Sequence, residues 1–82
     1  MKSLIFSSAI TNRSRVRFLY GLSEITLEPY YITRNKRGKK VVYGRVNNSS
    51  EVKMFEYERI YNIKILNSNK FSPIIPILPV LN

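Results

Sequence analysis

Histidine, cysteine and aspartate do not occur in this 82-residue chain. Without cysteine there is no disulfide and no thiolate, and without histidine no imidazole, so the commonest transition-metal ligands are missing. The same absences remove Cys-based and Ser–His nucleophile systems and the commonest general base. Every acidic residue is a glutamate: Glu24, Glu28, Glu51, Glu56 and Glu58. Glu56 and Glu58 stand beside aromatic residues or Arg, all five read as surface strand positions, and nothing in the pattern suggests the cleft a two-carboxylate glycosidase needs. The expectation is a binding protein rather than an enzyme, with no catalytic residue, no cofactor and no metal site. Long hydrophobic runs are missing as well. Met1-Lys2 followed by Leu4-Ile5-Phe6 has the outline of a signal peptide, but the apolar run stops at Ser7-Ser8, well short of a signal-peptide core. No stretch reaches transmembrane length, so a cytoplasmic protein with no membrane partner is expected.

What the chain does contain is apolar residues and cations. Hydrophobic content of 44% with six Tyr and four Phe is ample for a folded protein. A chain this short forms one domain with a modest core. Fourteen Lys and Arg against five Glu give a net charge of +9. Such a field attracts polyanions and is screened by salt; the plainer account is solubility combined with a compositional bias towards Lys and Asn.

Leu4, Ile5, Ala9 and Ile10 recur at helical spacing, predicting a short helix over about residues 3–12. From Arg13 the period changes to two. Val16, Phe18 and Tyr20 alternate with Arg15 and Arg17 in a first strand, which Gly21 ends. A second runs from Glu24 to Glu28, with Ile25 and Leu27 inward. Pro29 lacks an N–H and suits an edge or a bulge, and the pattern resumes at Tyr30–Thr33, predicting one bent strand. Asn35-Lys36-Arg37-Gly38 reads as a hairpin turn. The third strand spans Lys40–Val46, Asn47–Ser50 forms a turn, and Val52–Tyr57 is a fourth strand. A tight turn at Glu58-Arg59 leads to a fifth, Tyr61–Leu66. A helix followed by five short strands predicts a mainly β protein, with an antiparallel barrel closing its edges over residues 1–70.

The tail, residues 71–82, carries no charge, and Pro73, Pro76 and Pro79 recur every third residue. In a polyproline II helix they would line one face. Two roles fit: a strap over its own barrel, or a docking segment for a second copy or another protein. Truncation after Lys70 separates them. A docking segment would be lost with its oligomer, whereas loss of a strap would lower stability and leave the mass unchanged.

Laid out in this way, the pattern resembles a WYL domain, a bacterial module with an Sm-like, SH3-type barrel. The resemblance rests on Ala9-Ile10, the strand Arg15-Val16-Arg17-Phe18-Leu19-Tyr20, the step Glu28-Pro29-Tyr30-Tyr31-Ile32, Gly44-Arg45, the stretch Lys53–Ile60, and Ile63-Lys64-Ile65-Leu66 with Phe71. It covers Ala9 to Pro73. The namesake Trp-Tyr-Leu tripeptide is replaced, since register from Gly44-Arg45 puts Lys40-Val41-Val42 in its place. The resemblance implies a ligand-sensing regulatory module in transcription or phage-defence control, binding single-stranded nucleic acid or a nucleotide. Such domains usually accompany a DNA-binding helix-turn-helix, for which this chain has no room. A stand-alone domain, an excised fragment and a protein acting through a partner all remain open.

Arg15 and Arg17 project from one face of the first strand, about 7 Å apart at two residues' rise, and arginine's planar fork suits phosphate. By the family match, Arg15, Arg17, Arg45, Lys53 and Arg59 are the candidates for one basic surface. Tyr20, Tyr31, Tyr43 and Phe55 lie near them in the pattern and are candidates to stack on bases. Tyr20 and Phe55 also fall on apolar faces, where they read as core, and Tyr43 is the aromatic expected to be exposed. Arg59 has a second reading as the pin of a turn. A secondary basic loop, with Arg34, Lys36, Arg37, Lys39 and Lys40, reads either as a phosphate contact or as a solvated turn whose lysines blunt a strand edge. The sequence therefore predicts nucleic-acid or nucleotide binding through a basic face. The alternative is a protein-interaction or homo-oligomerisation module using a barrel edge and residues 71–82.

Overall fold

The computed structural model describes residues 1–67 and 69–73. Helix α1 spans Lys2–Asn12 and buries Phe6, Ala9 and Ile10, the i, i+3, i+4 stripe of an amphipathic helix. Leu4, expected inside, is 65% exposed, and Phe6 takes the core position in its place. The helix stops at Arg13, whose backbone is left-handed (φ 55°). The Arg13 and Ser14 amides turn back to the carbonyls of Ile10 and Ala9 at 3.2 and 2.8 Å, a Schellman arrangement that satisfies the helix's last acceptors. No helix among the described residues is long and apolar enough to cross a membrane.

Five antiparallel strands follow: β1 (Arg15–Tyr20), β2 (Ser23–Arg34), β3 (Lys40–Val46), β4 (Val52–Glu56) and β5 (Ile60–Leu66), with a 3-10 turn at Tyr57–Arg59 between the last two. They pair in the order β4-β3-β2-β1-β5. β2 is a single long strand, as the sequence suggested. Its register against β3 runs Pro29↔Gly44 and then Tyr31↔Tyr43, so Tyr30 is the extra residue of a bulge and the strand bends there. A second irregularity, opposite Phe18, is accommodated in β5 by Asn62 with φ 55°.

Among the described residues no ladder joins β4 to β5, so the sheet is open rather than the closed barrel the sequence predicted. It is nevertheless strongly curled. In a flat sheet β1 and β4 would lie about 14 Å apart, three strand spacings. Here the rings of Tyr20 on β1 and Phe55 on β4 meet edge to face at 4.9 Å. The reason for the open seam lies in the same place: the Tyr20 hydroxyl accepts the Glu56 N–H at 3.1 Å, so a side chain takes an amide that a closing ladder would have used. Arg59 also lies over Tyr20, its guanidinium 4.6 Å from the ring centre. It thus stands against the seam through its contact with the Tyr20 ring.

The concave side holds the core: Phe6, Ala9 and Ile10 from the helix with Val16, Phe18, Leu27, Ile32, Val42, Phe55 and Ile60 from all five strands. Phe18 is its hub, meeting Phe6 at 6.1 Å and Phe55 at 5.4 Å edge to face. Tyr20 packs against this cluster from its margin, so Tyr20 and Phe55 are core residues. Of the proline-rich tail only Phe71–Pro73 is described; the expected line of Pro73, Pro76 and Pro79 otherwise lies outside the described residues.

Gly44 sits beneath the bend of β2. A Cβ there would collide with the Glu28 carbonyl oxygen and approach Leu27 Cγ to 2.9 Å. Gly44→Ala is expected to destabilise the fold by about 1–3 kcal/mol through overpacking against backbone, read as a lower midpoint in urea-induced unfolding.

Candidate functional site

The convex side of the sheet carries Arg15, Glu28 and Arg45, and its centre is not open to solvent. Glu28, expected on the surface, is 0% exposed. β3 supplies Arg45 directly opposite Glu28, and the pair is bidentate: Nε to Oε1 at 2.9 Å and NH2 to Oε2 at 2.8 Å. From β1, Arg15 NH2 reaches Oε2 at 3.2 Å, and the Tyr30 hydroxyl donates to Oε1 at 3.4 Å. The arginines are anchored further, Arg45 NH1 on the Ser49 carbonyl and Arg15 NH1 on the Asn69 carbonyl, both at 3.0 Å.

The chain after β5 covers this cluster. The Phe71 amide donates to the Arg13 carbonyl at 3.1 Å, its ring lies 5.8 Å from that of Tyr30, and Lys70 Nζ reaches Ser14 Oγ at 3.2 Å. Phe71 is buried. Arg15 and Arg45 were expected to face a ligand, but both are paired with the buried carboxylate of Glu28. Burial works to raise the Glu28 pKa, but hydrogen bonds and charge from Arg45 and then Arg15 outweigh it and hold the group below its ordinary value of 4.5. Glu28 in turn raises Arg45 above its ordinary value, chiefly through their hydrogen bond.

The remaining members of the expected basic surface are dispersed. Arg17 shares the face of Arg15 but lies towards β5, in a recess of about 380 Å³ with Leu19, Glu24, Asn62 and Lys64. Lys53 alternates with Met54 and follows the face of the buried Phe55, so it projects from the side opposite Arg45. Arg59 is at the seam. Arg15, Arg17, Arg45, Lys53 and Arg59 therefore do not form one surface.

A different group comes together around Tyr43. The hairpin between β2 and β3 is held by Asn35, whose Oδ1 accepts the Arg37 and Lys39 amides at 2.9 and 3.0 Å. Its own amide and carbonyl close the loop on Lys39 and Gly38, both at 2.9 Å. Gly38 adopts φ 76°, where a side chain would be strained. Arg34 NH1 bonds the Gly38 carbonyl at 2.7 Å, so this cation stiffens the loop from below. The ordered hairpin forms one wall of a groove of about 470 Å³ lined by Arg34, Asn35, Lys36, Arg37, Tyr43, Met54 and Glu56. Tyr31 backs Tyr43, the two rings stacked at 4.8 Å and 15°. Met54, the cross-strand partner of Tyr43, is 39% exposed.

Of the predicted loop cations, Arg34, Lys36 and Arg37 line the groove. Lys39 pairs with Glu58 at 3.2 Å and Lys40 reaches Ser3 Oγ at 3.2 Å, so both turn away from it. Asn35, Met54 and Glu56 were not among the site residues expected from the sequence, where Asn35 stood only as a turn residue; the signal for the last two was their alternation with buried Phe55, which puts them on the face of Tyr43. Among the described residues no cluster of His, Cys, Asp or Glu is suited to hold a metal ion. Comparison with protein-family models, with curated proteins and with solved structures finds no match for this chain.

Because the folded-state pKa of Glu28 is lowered, its stabilising contribution is complete above about pH 4.5 and is lost as pH falls through the folded-state value. Glu28→Gln is expected to cost about 3 kcal/mol at neutral pH, since it strands two partly buried guanidinium groups. It should also flatten the loss of stability between neutral pH and about pH 3. Denaturant unfolding of both proteins across that range measures the two effects.

Proposed function

We propose that this chain is a non-enzymatic, WYL-like binding module, its curled sheet an SH3- or Sm-like barrel in outline, which takes single-stranded nucleic acid or a nucleotide on the convex face of β2–β4. The observation that carries this reading is the stacked Tyr31–Tyr43 pair beside a groove walled by Arg34, Lys36 and Arg37. A base needs a flat apolar surface and its phosphate needs cations a few ångströms away. Ring stacking accepts any base, while the cations follow the backbone. The hairpin is ordered before any ligand arrives by the bonds to Asn35, so less entropy is lost on binding. A net charge of +9 would draw a polyanion towards the groove from a distance. The regulatory setting, in transcription or phage-defence control, rests on the family resemblance alone.

Fluorescence anisotropy with labelled single-stranded DNA and RNA, at low and near-physiological salt, tests the reading. Binding should weaken steeply with salt in proportion to the number of phosphate contacts. Tyr43→Ala should cost roughly 1–3 kcal/mol of affinity, and Lys36→Glu with Arg37→Glu should weaken binding and flatten the salt dependence. Lys53→Glu, on the opposite face, should alter binding far less than the paired loop substitutions. Absence of binding even at low salt would overturn the proposal, as would equal losses from substitutions on the two faces.

A further inference from the structure

Within an otherwise cationic groove, Glu56 is out of place. The four cross-strand and loop residues around it (Tyr43, Met54, Lys36 and Arg37) suit a base and a phosphate, whereas a carboxylate repels phosphate and accepts hydrogen bonds without donating any. Lys39 and Glu58 show how this chain disposes of a surface carboxylate, by pairing it with a neighbouring lysine at 3.2 Å. Among the described residues Glu56 has no such ion pair. Among the described residues its one side-chain partner is neutral, the Asn35 amide, with Nδ2 donating to Oε2 at 3.3 Å.

That contact has a fixed polarity. Asn35 Oδ1 is occupied by two backbone amides, so the side chain cannot turn over and Nδ2 must face Glu56. One Nδ2 proton is used on the carboxylate, leaving a second beside it. The groove thus presents, side by side, one donor on Asn35 and the acceptor oxygens of Glu56. Single-stranded nucleic acids are read by hydrogen bonds to base edges exposed on unstacking. Guanine offers a carbonyl oxygen at O6 followed by two adjacent donors, N1–H and N2–H2. Adenine and cytosine each offer one amino donor next to a ring-nitrogen acceptor, and uracil sets its single N–H between two carbonyls. Guanine alone supplies an acceptor for Asn35 and two donors for the two carboxylate oxygens.

We infer that Asn35 and Glu56 make the groove guanine-selective, with Glu56 the residue that sets the preference and Tyr43 the surface on which the base rests. This inference depends on the nucleic-acid reading of the groove. It explains why a carboxylate is kept where phosphate is expected.

Competition for a labelled single-stranded oligonucleotide by GMP, IMP, AMP, CMP and UMP tests it on the intact chain. GMP should compete best. IMP, which lacks only the N2 amino group, should be weaker by about tenfold, the loss of one hydrogen bond to a charged acceptor. In Glu56→Gln the advantage of GMP over IMP should disappear, with circular dichroism melting to show that the variant is folded. Equal competition by all five nucleotides would overturn the guanine inference and leave the stacking site standing. An oligonucleotide that does not bind at all would remove both.

Discussion

The buried carboxylate of Glu28 is the constraint around which the convex side of this sheet is built. It sits on the middle strand, and the strands on either side each present an arginine to it. An ionised group without solvent is costly by several kcal/mol unless its lone pairs are satisfied. Here a bidentate guanidinium, a second guanidinium and a tyrosine hydroxyl provide that satisfaction. The two cations carry one charge more than the anion balances, and their outer nitrogens are held by the Ser49 and Asn69 carbonyls. The turn after β3 and the segment after β5 are therefore tied to the same cluster. Phe71, itself buried, packs its ring against Tyr30 beside it, so a second, smaller buried cluster lies behind the apolar one.

This arrangement separates two uses of arginine within a very basic chain. Arg15 and Arg45 hold strands and loops in place. Arg37 and Lys36 stand on a hairpin whose geometry is set by asparagine and glycine rather than by the cations themselves. Positive charge in the sequence is a poor guide to which role a residue plays, because both roles draw on the same cationic side chains. What distinguishes them is whether a carboxylate lies in cross-strand register, as Glu28 does with Arg45.

Much of the scaffold was legible in the residues. Period-two alternation marks every strand, Pro29 marks the bend in β2, and Asn35 with Gly38 marks the hairpin. Closure was not legible, because it turns on whether the Glu56 amide meets a strand or a hydroxyl from Tyr20, 36 residues away. Nor was the fate of Arg15, since alternation treats any polar position as outward. That rule fails when a distant segment covers the outer face, as Lys70 and Phe71 do over Ser14 and Tyr30. Tyr43 and the basic hairpin could be singled out from the sequence. Their union with Met54 and Glu56 depended on the β3–β4 register, which places Tyr43 opposite Met54.

The seam between Tyr20 and Glu56 also sets the mechanical character of the molecule. A closed ladder fixes the circumference of a barrel in whole-residue steps, because each bond demands a partner in register. One hydroxyl and one ring edge impose no such quantum, so the curvature of this sheet is a continuous variable. On a curved sheet, side chains on the convex face spread or gather with curvature more than those packed inside. Tyr31, Tyr43 and Met54 stand on that face, so the spacing of the aromatic surface is geared to a single contact on the far side of the sheet.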